Sequence, residues 1–304
     1  MRSDLAPAVA TTSPAVRHGT ARRLRTAILG AGMLGIDLAG RLAASESLGV
    51  PLVAGREGSS GLRLAARMGC PTSEQGVQAV LAAGVDVVFD ASSAHAHPAH
   101  WGELASKDVL LIDLTPSSGG QMVVPTVNGF RAESHRHLSL VSCGGQAVLP
   151  VLDAVSGCST VSYAEVVTTV ASASVGPATR SNLDEYVSTT EYAVRRLSGA
   201  DRAKVLTTIS PAQPAPPFRA RITVLADRID TGALAAAVEA TARAVREFTP
   251  GYEVTALRVD GGRISATVTV TATTGRLASF AGNVEIINAA AVVLAERHAA
   301  TGRT

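Results

Sequence analysis

The sequence predicts an α/β chain in two parts: a parallel sheet wrapped by helices, then an α+β unit built on a mixed sheet. Three observations carry this. Short apolar strands alternate with helical segments from Thr26 to about Ser142. A glycine-rich turn joins the first strand to the first helix. After Ser142 the strands lengthen, gain β-branched residues and are separated by long amphipathic helices. Strands that alternate with helices form βαβ units, whose strands run parallel.

The first strand is Thr26–Leu29, and the helix after its glycine turn runs to about Ala44. "VPLVAGRE" gives a second strand. "GLRLAARMG" gives a helix that stops at Gly69, where left-handed geometry favours glycine. "SEQGVQAVLAAG" predicts a helix capped by Ser73 and ended by Gly84. "VDVVFDAS" is a buried strand, "HPAHWGELASK" a helix and "VLLIDLTP" another strand. Beyond "HLSLVSCGGQAVLPVLDAV", the segments "VSYAEVVTTVASAS", "FRARITVLAD" and "GRISATVTVTATT" read as strands. "NLDEYVSTTEYAVRRLSG", "TGALAAAVEATARAVREF" and "NVEIINAAAVVLAERHAA" read as helices. A mixed sheet with helices on one face accounts for that order. Pro211 to Phe218 is a proline-rich extended connector.

The 304 residues suffice for two domains. A composition of 46% hydrophobic and 17% charged residues is that of a globular chain. A net charge of +2, evenly spread, is too small to argue for nucleic acid or a membrane surface as a partner. No run reaches the ~18 apolar residues of a bilayer span. Residues 1–25 lack an apolar segment and read as a flexible tail, not a secretory signal. Cys70, Cys143 and Cys158 form no disulfide framework and fit a reducing cytoplasm.

Gly30-Ala31-Gly32-Met33-Leu34-Gly35 matches G-x-G-x-x-G between a strand and a helix, the context a Rossmann dinucleotide fingerprint requires. NAD sites place an acid near the end of the second strand to hold the ribose hydroxyls. Arg56 stands there instead, followed by Ser59 and Ser60. A guanidinium pairs with a 2′-phosphate, so of NAD and NADP the sequence favours NADP. The alternative is a solvated Arg56, with Glu57 on the ribose.

Cys143 follows a strand and opens a helical run. Free N–H groups there lower a thiol pKa, and those of Gly144 and Gly145 offer an oxyanion hole. A small buried hydrophobe is the competing reading of Cys143. Cys70 and Cys158 lack this setting. His95, His97 and His100 do not make a metal set, since no nearby Cys or acid completes it. Their segment lines the cofactor cleft, and His135 and His137 read as surface residues. Asp184 and Glu185 read as helix-start carboxylates. Arg180 reads equally as an anion ligand or as one half of an ion pair.

With these features in place, the chain resembles the acylating acetaldehyde dehydrogenases that partner 4-hydroxy-2-oxovalerate aldolases. The likeness runs from about Thr26 to Ala300. It includes "DVVFDASSAHAH", "LIDLTPSSGG", "VPTVN", "SCGGQAVLP", "YAEVV", "SVGPATRSNLDEYVSTT" and "AGNVEI". The resemblance implies that Cys143 is the catalytic nucleophile and that coenzyme A is a co-substrate. It implies nucleotide contacts from Ala31, Gly32, Met33 and Leu34. A second nucleotide stretch comprises Ser174, Val175, Gly176, Pro177, Ala178, Thr179, Arg180, Ser181 and Asn182, and Asn283 lies near the nicotinamide carboxamide. It further implies a homodimer with an aldolase-like partner. The domains are then expected at 26–142 for the dinucleotide and 143–277 for substrate and dimerisation. A C-terminal helix, 278–304, packs back on the first domain.

Three departures accompany the likeness. Ala220, in "FRARITVL", holds the position of a family aspartate that assists the cysteine or the thioester exchange. Only "EVTALRVDGGR" separates Tyr252 from Ile264, where the family carries a longer insertion that bears on the partner surface. Arg56 replaces the cofactor acid. Together they suggest a branch that acts on a bulkier or aromatic acyl group. Two alternatives stand beside this reading: a phosphate-dependent semialdehyde dehydrogenase, and a weakly active aldolase-binding subunit.

Overall fold

The computed structural model describes residues 22–301. Residues 1–21 of the expected tail lie outside the described residues. Arg22 to Arg25, also expected in the tail, are anchored. Leu24 is buried and bridges to Leu48, and Arg22 and Arg25 each pair with Asp86 at 3.0 Å.

The first sheet alternates strands and helices: β1 (Thr26–Leu29), α1 (Met33–Ala44), β2 (Leu52–Ala54), α2 (Ser60–Arg67), β3 (Thr72–Ser73), α3 (Val77–Ala83), β4 (Val87–Asp90), α4 (His97–Leu104), β5 (Leu110–Asp113), β6 (Gln121–Met122) and β7 (His137–Ser139). All its pairings are parallel, in the order β3-β2-β1-β4-β5-β7-β6. Every residue of β1, β4 and β5 is buried. A parallel strand covered on both faces shows an unbroken apolar run and no alternation. The strand order reverses at β1, which opens a crevice at the carboxyl ends of β1 and β4.

Ser73 does not cap α3. It lies in β3 and its hydroxyl accepts from the Gln75 N–H at 3.2 Å, while the helix starts later, after Gly76. β3 and β6 are two-residue strands with no pattern long enough to predict.

Helix α5 (Cys143–Gly157) leads into the second sheet. There follow β8 (Thr160–Ala171), α6 (Pro177–Ser181), α7 (Leu183–Ser198), β9 (Arg202–Ser210), β10 (Phe218–Asp227), α8 (Thr231–Arg246), β11 (Tyr252–Asp260), β12 (Arg263–Val270) and α9 (Gly282–Ala300). The order is β11-β12-β10-β8-β9, with β8 and β9 parallel and the other pairs antiparallel. This is the predicted mixed sheet, and α5, α7 and α8 cover it. β10 alternates between buried and more exposed positions, burying Phe218, Ala220, Ile222, Val224 and Ala226 on its inner face. β9 and β11 are absent from the sequence reading. Both are edge strands with charged and half-exposed positions, so neither shows a clean apolar alternation.

Helix α9 ties the two parts together. It places Ile286 in the core of the second sheet and Ile287, Ala291, Leu294 and Ala295 in that of the first. Asn288 donates to the Leu34 carbonyl at 3.0 Å and to Asp37 at 2.9 Å. Arg41 donates to Asp37 at 2.6 Å and to the fully buried Glu285 at 2.7 Å. Removing Arg41 leaves two buried carboxylates facing each other. Arg41→Ala is expected to destabilise the fold by roughly 3–5 kcal/mol, read as a lowered urea midpoint.

Candidate active site

The glycine turn after β1 divides its work among three residues. Gly30 has φ +105°, and a β-carbon there would lie 2.6 Å from the Ala91 carbonyl. A β-carbon on Gly35 would collide with the Gly30 carbonyl, so the third glycine seats α1 against the turn. At Gly32 a β-carbon would meet nothing within 4 Å. It would project into open space beside the N-terminus of α1, where a helix offers unpaired N–H groups to an anion. The turn therefore fits a pyrophosphate.

A crevice of about 890 Å³ extends from this turn. Gly30, Ala31, Gly32, Arg56, Ser59, Pro177, Ala178 and Ser181 line it, together with Ser60, Glu74, Ser92, Ser93 and His100. Glu57 is exposed and is not among the lining residues, whereas Glu74 is one of them and accepts from the Gly58 N–H at 2.8 Å. Several expected contacts lie elsewhere. Met33 borders a separate cavity, and the Leu34 carbonyl is taken by Asn288. Ser174, Val175 and Asn182 are buried, Gly176 precedes α6 and Thr179 is exposed. Among the described residues Arg180 forms no ion pair, and it donates to the Ser172 hydroxyl at 2.9 Å and its carbonyl at 3.2 Å. Asn283 donates to the Ser174 carbonyl at 3.2 Å, while its Oδ1 is buried without a partner. An unpaired buried amide oxygen is costly and suits a ligand N–H such as that of a carboxamide.

Cys143 is the first residue of α5, and its own backbone N–H and that of Gly144 favour its thiolate form. Ser142 caps the helix by accepting from the Gly145 N–H at 2.9 Å. That N–H is therefore spent, and the expected two-glycine oxyanion hole reduces to the N–H of Gly144. Packing explains both glycines. A β-carbon on Gly144 would collide with the Tyr186 hydroxyl, and one on Gly145 would lie 2.8 Å from Val141. Val141 is buried at φ 65°, a strained conformation for a β-branched residue, two residues before Cys143. The expected fall in thiol pKa does not appear in this state. Burial pushes Cys143 up to about 11, against opposing hydrogen bonds from Tyr186 and the two backbone N–H groups. Cys70 is buried, and Cys158 sits at the far end of α5.

The histidines behave differently from their sequence reading. His137 is half-buried in β7, stacked on Trp101 with centroids 4.2 Å apart. Its Nε2 lies 2.9 Å from Nε2 of His97. His97 Nδ1 faces Asp90 at 2.9 Å and Asp113 at 3.4 Å, and His100 Nδ1 faces Asp90 at 2.8 Å. His97, Asp113 and His137 thus bring three possible ligand atoms within 4.8 Å of one another, which the sequence did not foresee. The Nε2–Nε2 separation is that of a shared hydrogen bond. Burial works against charge on His97, but the Asp90 hydrogen bond and the Asp113 charge outweigh it and raise its pKa. Burial and the charge on His97 bring His137 down to about 4. Burial pushes Asp113 up to about 6, whereas hydrogen bonds from His100 and His97 outweigh burial at Asp90 and hold its carboxyl below the usual range.

Comparison with known proteins fits this geometry. Residues 25–135 match the model of the semialdehyde dehydrogenase NAD-binding domain, and residues 143–278 that of the prokaryotic acetaldehyde dehydrogenase dimerisation domain. An acetaldehyde dehydrogenase of Streptomyces griseus subsp. griseus is 47% identical over 286 residues, covering 93% of each chain. The chain belongs to the acetaldehyde dehydrogenase family. A second member, from Pectobacterium atrosepticum, is 39% identical over 90% of this chain and 95% of its own. Among solved structures, a probable aspartate-semialdehyde dehydrogenase from Pseudomonas aeruginosa superposes with a TM-score of 0.66 at 15% identity, covering 91% of this chain and 98% of that one. Aspartate-semialdehyde dehydrogenase II of Vibrio cholerae gives 0.62 at 17% identity, covering 90% and 98%. These two show the shared fold alone.

Sequence reasoning missed Tyr186, Glu74 and the His97–His137 pair, all brought in by elements remote in sequence. The histidine pair makes a checkable prediction. His137 carries a folded pKa below its ordinary 6.5, so its contribution to stability is full above that pH and is lost as pH falls towards 4. NMR titration should find His137 neutral down to about pH 4 and His97 protonated above pH 6.5.

Proposed function

We propose that this family member is a CoA-acylating aldehyde dehydrogenase, interconverting an aldehyde and an acyl-CoA through Cys143. One observation carries the reading. A half-buried cysteine opens α5 directly after a strand of the parallel sheet, where the backbone N–H groups of the helix start favour a thiolate. The crevice at the carboxyl ends of β1 and β4 lies on the same edge of that sheet.

The thiolate adds to the aldehyde carbonyl, and the Gly144 N–H stabilises the resulting thiohemiacetal oxyanion. A nicotinamide nucleotide in the crevice supplies the hydride chemistry that interconverts thiohemiacetal and thioester. The thiol of CoA then attacks the thioester carbonyl, and Cys143 leaves as a thiolate. In the opposite direction an acyl-CoA loads Cys143 and an aldehyde is released.

Gly30, Ala31, Gly32, Met33, Leu34 and Gly35 form the pyrophosphate turn in this proposal, and Asn283 holds the carboxamide through its unpaired Oδ1. The stretch from Ser174 to Asn182 forms the opposite wall, through Pro177, Ala178 and Ser181. Arg56 and Ser59 border the crevice beyond β2, which favours a 2′-phosphate and therefore NADP.

We place nucleotide binding in residues 26–142, substrate and dimer surfaces in 143–277, and the closing helix in 278–304. A homodimer follows from the dimerisation-domain match, with a 4-hydroxy-2-oxovalerate aldolase-like protein as the proposed partner. Cytoplasmic residence is proposed from the three free cysteines. No helix among the described residues is long and apolar enough to cross a membrane. The acyl group is of acetyl size or bulkier.

The test is oxidation of NADH and NADPH in turn, with acetyl-CoA and an aromatic acyl-CoA as substrates. Turnover is expected with at least one pair, and faster with NADPH. Cys143→Ala should lower it by on the order of a thousandfold or more. Retained turnover in that variant would sink the nucleophile assignment. An aldehyde oxidation that needs phosphate and ignores CoA would sink the acylating one.

A further inference from the structure

Among the described residues, no carboxylate, histidine or cation belongs to the groups that bear on the ionisation of Cys143. The side chain that does is Tyr186, from α7, whose hydroxyl lies against the first turn of α5, where a β-carbon on Gly144 would collide with it, and which packs in the same core cluster as Cys143. Tyr186 is buried, and its hydroxyl lies 3.3 Å from Thr168 Oγ1 on β8. Thr168 in turn donates to Thr207 Oγ1 on β9 at 3.0 Å. On β10, Ala220 stands opposite Thr168 in register and offers only a methyl group. The absence of a side chain at Gly144 leaves the room that the phenol hydroxyl occupies beside the first turn of α5.

On the reading of Cys143 as nucleophile, we propose that Tyr186 is a catalytic residue whose hydroxyl donates to the Cys143 thiolate, in the attacking and in the leaving step. While the sulfur is protonated, its S–H donates to the phenol oxygen and the phenol proton rests on Thr168. When the thiol proton is lost to solvent, the phenol proton turns to the sulfur. Tyr186 itself stays un-ionised, because burial and the neighbouring sulfur hold its pKa well above that of an ordinary phenol. In attack, the sulfur lone pair forms the S–C bond and the carbonyl π pair moves to oxygen. In acyl transfer, the CoA sulfur forms its bond to the acyl carbon, the Cys143 S–C pair returns to sulfur, and Tyr186 again donates to that charge. No proton leaves the tyrosine.

The test is the pH profile of iodoacetamide alkylation at Cys143, followed by mass spectrometry of its peptide, in the full chain and in Tyr186→Phe. Losing one hydrogen bond to a charged sulfur should slow alkylation on the order of tenfold at any pH below about 10, and shift the profile alkaline. The same variant should lose a comparable factor in kcat. A fluorinated tyrosine at position 186, nearly the same size but a stronger donor, should shift the profile the other way, and it serves where the Phe variant fails to fold. Superimposable profiles in either variant would overturn the proposal. Alkylation is read without turnover, so this outcome is independent of whether Cys143→Ala abolishes activity.

Discussion

The helix that begins at Cys143 is packed on nearly every side, and its first residue touches two cores at once. From Gly144 to Leu152 every side chain of α5 is buried. Its first turn therefore has no freedom to shift. That constraint explains features that otherwise look unrelated. Val141 takes a strained left-handed conformation so that the chain can leave β7 and enter the helix at once. Two glycines follow the cysteine because Tyr186 and Val141 fill the space their side chains would need. Ser142 spends its hydroxyl on the cap and meets Thr190 of α7 at 2.7 Å, which locks α7 to the same turn.

Burial and ionisation oppose each other at this point. The N-terminus of a helix favours a thiolate, but a buried sulfur loses more by desolvation than two N–H groups and a phenol return. The Cys143 thiol is thereby held neutral in this state and positioned by packing. A sulfur in this setting gains most from hydrogen-bond donors already in place, which need no reorganisation when charge develops. The histidine and aspartate network beside β4 and β5 resolves a similar conflict by another route, with His97 set between two buried carboxylates that raise its pKa.

What the sequence disclosed was local. The glycine turn, the buried strands of the first sheet and the strand-to-helix entry at Cys143 each lie within one stretch of chain, and their spacing carries the physics. What it hid was made by distant pairings. His97 meets His137 across 40 positions, and Asn283 meets Ser174 across 109. Ser73 looked like a helix cap because cap chemistry and turn chemistry use the same residue types. β9 and β11 were hidden because an edge strand exposed on one side blurs its alternation. The two glycines after Cys143 were visible, but the reason for them was not, since it lies in Tyr186 and Val141.

The central claim is that Cys143 carries the acyl group as a thioester. The most direct measurement is mass spectrometry of the protein after brief exposure to acetyl-CoA without reduced nucleotide. The account predicts one added acetyl group, located on the Cys143 peptide and removed by free CoA. An acyl group on another residue, or a protein that stays unmodified while it turns over acetyl-CoA once nucleotide is added, would contradict it.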